Sequence, residues 1–165
     1  MTPAITIEEL LVWNNESSNF WKAYLDANPA LLELSCDIGG TSNVQQFVRH
    51  IWSAELRWSQ RLAGQPVTDR EAMPKGPLDA LFDLHVKAAP VFRALLDDSA
   101  YDWNETMELG LPQLPAEART FSRRKIVGHA LFHSQRHWAQ LATLVRTAGF
   151  SSGFKGDLLF SAALQ

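Results

Sequence analysis

The residues of this chain best suited to chemistry are its five histidines, and three of them lie within nine residues of one another. His133 and His137 stand four apart, with His129 a turn earlier, in the stretch Arg123 to Gly149, RRKIVGHALFHSQRHWAQLATLVRTAG. Side chains four apart on an α-helix share a face and lie about 6 Å apart. Two imidazoles so placed can meet on one transition-metal ion through bonds of about 2.0–2.1 Å. The same spacing equally suits two amphipathic residues at the rim of a core, each hydrogen-bonded. His129 cannot close such a site with His137, because the two are about 12 Å apart along a helix axis. A third ligand must come from another element. His50 falls inside an apolar stripe elsewhere in the chain, three after Phe47 and four before Ala54. A single inward histidine is usually a satisfied core residue; one that could face His133 and His137 is a different matter.

The elements that must position these residues are helices. In the 123–149 stretch, Val127, Leu131, Ser134, Trp138, Leu141 and Val145 recur at alternating spacings of four and three, marking one packed face. The histidine pair runs beside it in a second stripe, Ile126, Ala130, His133, His137, Gln140 and Leu144. Ser122 or Thr120 can cap the start, and Gly149 sits where a left-handed residue would end the helix. A first helix is expected over Thr6 to Leu25, opened by a Thr6/Glu9 capping box. Its apolar face is interrupted by Asn14, Ser17 and Ser18, which either satisfy one another or line a cavity. A second helix is expected over Asn43 to Ala63, with a Ser42/Gln45 capping box, the core face Phe47, Ile51, Ala54, Trp58 and Leu62, and Gly64 and Pro66 ending it. Residues 64–77 carry prolines and glycines and read as a loop. A third helix is expected over Leu78 to Leu96, with Leu78, Phe82, His85, Ala89, Phe92 and Leu96 on one face, and Pro90 inside it should kink or split it. His85 reads as a core histidine, with a site role as the alternative. Residues 97–119 are the least regular part, and the tail after Gly149 is apolar enough to pack on the helices or on a partner. Four amphipathic helices with long connections predict an all-α four-helix bundle, residues 1–165 forming a single domain.

Composition narrows the function classes. Fifteen basic and 18 acidic residues give a net charge of −3 with no basic block, which speaks against a nucleic-acid role. Cys36 is the only cysteine, so no internal disulfide can form and a reducing compartment is the natural home. With neither a signal-peptide pattern nor an apolar run of membrane-spanning length, the expectation is a cytoplasmic protein with no membrane partner. Six tryptophans are many for 165 residues and point to an aromatic core, a dimer seam or an aromatic-walled pocket. The paired Glu-x-x-His of di-iron bundles, the His-Glu-x-x-His of zinc proteases, Gly-rich phosphate loops and the Gly-x-Ser-x-Gly elbow are all absent.

Two segments carry a family resemblance. One is the histidine near the start of the second helix followed by an acidic, Trp-containing turn, HIWSAELRWSQRLAG from His50. The other is the late helix HALFHSQRHWAQLATLVRTAG from His129. Together they resemble the bacterial DinB-like family of metal-binding four-helix bundles. Its members include thiol-dependent transferases and isomerases and proteins described as metal-dependent hydrolases. The resemblance extends over nearly the whole chain, including helix order and the apolar tail. It implies a metal triad at His50, His133 and His137, with His129 matching a less constant histidine that would stand behind the ligands. Many members carry Arg-Gly after the last ligand and before the Gln; Trp138-Ala139 stand there here, so no arginine role carries over to that place.

Three neutral imidazoles would leave a divalent ion its full charge and an open position, the arrangement of catalytic rather than structural zinc. Zinc is the expected ion, and nickel or iron(II) also accept imidazole. Such an ion activates water or a low-molecular-weight thiol. Glu55 is the nearby carboxylate that could orient a ligand or act as a base, and it could equally be a surface partner for arginines. Cys36 lies in a Pro/Gly-bounded connection and is no nucleophile for the site. Two function classes follow: a metal-dependent enzyme of thiol transfer or hydrolysis acting on a small molecule, with thiol transfer placed first, and a non-catalytic metal-binding or stress-related protein. A homodimer is expected from the aromatic excess and the apolar tail.

Overall fold

A computed structural model of the chain describes residues 5–111 and 113–164. Four long helices dominate it: α1 (Ile7–Ala27), α2 (Val44–Leu62), α3 (Leu78–Asp97) and α4 (Arg123–Thr147). The fold is therefore mainly α. The Thr6/Glu9 capping box opens α1 in both of its hydrogen bonds. Pairwise packing places α1 and α2 each against both α3 and α4. One apolar cluster runs through all four helices, with Trp21, Trp52, Trp138 and Phe47 among its largest fully buried side chains. Trp138 anchors it, stacked on Trp21 at 6.1 Å between ring centroids and tilted against Trp52 at 5.7 Å.

Two short antiparallel hairpins depart from the all-α expectation. Strands β1 (Ser35–Ile38) and β2 (Thr41–Asn43) pair across Gly39 and Gly40, both of which take positive φ. Strands β3 (Thr106–Glu108) and β4 (Thr120–Ser122) pair within the stretch that reads as irregular in sequence. The return strand of each hairpin ends on a helix cap. Asn43 closes β2 and caps α2 by accepting from Gln46 N–H, in place of the Ser42/Gln45 box expected from sequence. Ser42 instead bonds Gln46 Oε1 through its N–H and hydroxyl, while Gln45 reaches Gly76. Ser122 closes β4 and caps α4 by accepting from Lys125 N–H. The Arg123 and Arg124 amides donate to the Glu105 and Trp103 carbonyls, so the hairpin region satisfies first-turn donors that would otherwise be orphaned.

Helix α3 runs unbroken through Pro90. Pro90 lies on the exposed face, where water can take the carbonyl one turn back that has lost its donor. The buried face of α3 is Leu78, Leu81, Leu84, His85, Ala88 and Phe92, rotated from the expected stripe so that Phe82 and Ala89 fall at its edge. Gly149, at φ +87°, ends α4 as expected. The tail packs on α1, with Phe154 against Phe20 and Trp21, and Ser161 Oγ donating to Glu16. None of the described helices is long and apolar enough to cross a membrane.

Candidate metal centre

His50 sits two turns into α2, and His133 and His137 lie in the middle of α4. Both stripes place their histidines at the border of the core. His137 is buried, and His50 and His133 are half-buried. The packing of α2 against α4 brings the three rings together. His133 Nε2 lies 3.1 Å from His137 Nε2 and 3.3 Å from His50 Nε2. One ring nitrogen from each lies within 4.8 Å of the others. Tetrahedral ligands bound at about 2.0–2.1 Å stand about 3.3 Å from one another, so the spacing is that of nitrogens sharing one ion.

The chemistry of the donors agrees with their spacing. His137 Nδ1–H donates to Gln140 Oε1 at 2.6 Å, which leaves the Nε2 lone pair aimed at the cluster. Burial is the main reason the imidazoles resist protonation. His50 is lowered to about 4 by burial, then by His137, Arg70 and Arg136. His133 is lowered to about 3 by burial and by its histidine and arginine neighbours. His137 is lowered too, by burial first, and Gln140 opposes the shift. Three crowded, neutral imidazole nitrogens cannot all hydrogen-bond to one another, since each pair needs one donor. A cation among them would take one lone pair from each ring once His50 carries its proton on Nδ1, and the triad fits a divalent metal on that ground.

The other candidates fall elsewhere. His129 is exposed, with its ring 5.4 Å from Trp58 and 5.8 Å from His133, and it makes no hydrogen bond to the triad among the described residues. Glu55 is 1% exposed, which excludes the surface-partner reading. Its Oε1 accepts from Asn14 Nδ2 at 3.0 Å and Ser134 Oγ at 2.7 Å, and its Oε2 from His85 Nδ1 at 2.7 Å. None of these partners is a triad histidine, and together with Glu55 they tie all four helices at one carboxylate. His85 is thus a core residue, as its place in the α3 pattern suggests. The polar interruption of α1 belongs to the same interior. Asn14 serves Glu55, and Ser17 donates to Gln135 Oε1 at 3.2 Å. Cys36 is buried in the first hairpin, with its Sγ 3.4 Å from Thr41 Oγ1.

Three residues at the site went unassigned in sequence. Gln140 lies one turn beyond His137 on the same stripe, and that spacing was the available signal. Arg70 Nη2 donates to His50 Nδ1 at 3.1 Å, and Arg136 Nη2 approaches His137 Nε2 at 3.3 Å. Arg136 adjoins a ligand in sequence, whereas Arg70 comes from the 64–77 loop, whose path the sequence does not indicate. Beside His50 opens a cavity of about 600 Å³, walled by the first hairpin, α2 and that loop. No tryptophan lines it, and the aromatic excess goes mainly to the core.

A mainly α chain that gathers three histidines from two of its helices matches one family by sequence. Residues 20–141 fit the DinB superfamily, and the chain belongs to it. The match begins inside α1 and ends inside α4, so the tail lies beyond it. No curated protein matches the chain.

Proposed function

We propose that the chain is a metal-dependent enzyme in which His50, His133 and His137 hold one divalent transition-metal ion, zinc in the first place, with nickel or iron(II) as the alternatives. The observation that carries this reading is the convergence of three ring nitrogens at ligand spacing. Once bound by three neutral imidazoles, the ion would keep its full charge and an open position, and would acidify a small-molecule thiol or water. The protein's own residues orient the ligands. Gln140 fixes the His137 tautomer, and the capped starts of α2 and α4 fix the registers that aim the rings.

Thiol transfer ranks ahead of hydrolysis because hydrolysis needs a general base, and the one carboxylate nominated for that task is committed elsewhere. Glu55 is held by Asn14, Ser134 and His85. Glu71, the acid on the cavity wall, pairs with Lys75 at 3.0 Å. A thiol ionises from a pKa of about 8.5, so acidification by the ion would suffice to release its proton to solvent water near neutral pH without a protein base. The packing of α1 and α2 on both α3 and α4, around one core, supports a single-domain four-helix bundle. The single cysteine supports a cytoplasmic setting.

The deciding experiment loads the protein with zinc or nickel, measures metal per chain, and incubates it with electrophiles and a panel of cellular thiols beside ester and amide substrates. Thiol consumption that is lost in His133→Ala and His137→Ala is the expected result. Thiol-independent hydrolysis lost in the same variants reverses the order. Silence in both arms with metal bound makes the chain a non-catalytic metal-binding protein, and less than a tenth of an equivalent of metal overturns the site itself.

A further inference from the structure

We propose that the cavity beside His50 recognises an oxyanionic group of the substrate, a carboxylate or a phosphate, with Arg70 as its anchoring cation and Arg136 as a second cation at the triad. The proposal rests on the metal reading above and assigns that site its substrate class.

The cavity wall is rich in cations whose roles differ. Arg49 is committed to the backbone: its Nε donates to Pro74 O at 2.7 Å and its Nη2 to Arg70 O at 2.6 Å. It ties the 64–77 loop to α2 and so sets where Arg70 stands. Lys75 is paired with Glu71. Arg70 and Arg136 have no carboxylate within salt-bridge distance among the described residues, and each spends an N–H on a neutral imidazole nitrogen instead. A guanidinium presents five donors in a planar fork matched to a carboxylate or phosphate, and one imidazole nitrogen leaves most of them unused.

The tautomer of His50 sharpens the argument. A neutral imidazole carries one proton. If His50 Nε2 gives its lone pair to an ion, that proton must sit on Nδ1, and Nδ1 can no longer accept from Arg70. Arg136 likewise loses His137 Nε2 as an acceptor. Metal ligation and the present arginine contacts exclude each other, so ligation frees both guanidiniums, Arg70 on the cavity wall and Arg136 at the triad. Two freed guanidiniums next to a divalent ion, with no acidic partner of their own, leave a concentrated positive charge that a substrate oxyanion would neutralise.

The test measures binding of succinate and of inorganic phosphate by calorimetry at low ionic strength. It uses metal-free and zinc-loaded protein, wild type, Arg70→Gln and Arg136→Gln. Metal content is measured on every sample and folding is checked by circular dichroism. One of the two anions should bind the zinc-loaded wild type more tightly than the metal-free protein. Arg70→Gln should weaken that binding by roughly tenfold to a hundredfold at unchanged zinc content, and Arg136→Gln by a smaller factor. The stronger of the two anions names the substrate group. Equal affinity in wild type and Arg70→Gln, both fully metallated, overturns the proposal and leaves the metal reading intact, since the ion alone would then attract the anion. Absence of binding of either anion to the zinc-loaded wild type overturns it as well. Failure of all samples to take up metal is the distinct failure of the triad.

Discussion

Replacing Glu55 tests whether the buried carboxylate is a tie between helices or part of the reaction. Its two oxygens accept three hydrogen bonds, from α1, α3 and α4, in a site 1% exposed. In Glu55→Ala, Asn14 Nδ2 and His85 Nδ1 lose their acceptor, while Ser134 Oγ keeps a long alternative in Ala130 O at 3.4 Å. A buried polar group left without a partner costs about 1–3 kcal/mol, so two give about 2–6 kcal/mol, and the vacated volume adds to that. In a chain of this size that is a fall in melting temperature of about 4–24 °C. Glu55→Gln keeps one acceptor oxygen for Asn14 and Ser134 and offers His85 an amide, which the other imidazole tautomer can accept, so its cost should be about 1–2 kcal/mol. The assay is denaturant and thermal unfolding of metal-free protein by circular dichroism, with metal stoichiometry measured separately. A Glu55→Ala protein within about 1 kcal/mol of wild type would refute the tie. Loss of metal binding in Glu55→Gln would refute the separation of this carboxylate from the triad.

Three further outcomes are expected. Gln140→Leu removes the acceptor of His137 Nδ1 and should weaken metal affinity by about 10–100-fold with the fold intact, read by competition with a chromophoric chelator. Chelation of the loaded protein should remove about 2.7 kcal/mol of stability at a hundredfold excess of metal over its dissociation constant, and lower the melting temperature with it, without loss of helical signal, because the apolar core is built of residues other than the triad. The protein should be a homodimer. Phe132 and Val86 remain more than half exposed, and Leu159 is 87% exposed even with the tail docked on α1; light scattering at about 18.5 kDa across micromolar concentrations would count against it.

The legible parts of this protein are those that repeat. The stripe Val127, Leu131, Ser134, Trp138, Leu141 and Val145 is buried along its whole length, and the ring convergence follows from a histidine stripe beside it. The hairpins escaped because strands of three or four residues carry no period to read, and the pairing of β3 with β4 is made across an intervening loop. Pro90 does not split α3 because it lies on the exposed face, where water can take the carbonyl it frees. Glu55 depends on its face in the same way. A glutamate on a helix facing solvent and one facing three donors look alike in sequence, since the donors at 14, 85 and 134 are far away along the chain. Arg70 was hidden by the same kind of distance, being positioned by hydrogen bonds from Arg49 to a loop with no regular structure.

The placement of charge bears on what the site accepts. This chain seals Glu55 between four helices and satisfies it with protein donors, so that carboxylate does not compensate charge at the triad. The acidic residue on the cavity wall is paired with a lysine, and the cations nearest the histidines are arginines. On the proposed reading, a divalent ion bound by three neutral imidazoles would meet no negative charge from the ligands themselves. The compensating charge must then arrive with the reactants, as a thiolate or hydroxide at the open position and as an oxyanion at Arg70. Each anionic partner is drawn to the one cationic site despite their mutual repulsion, and that is a way for a small protein with no nucleophilic side chain at the triad among the described residues to bring a co-substrate and a substrate together.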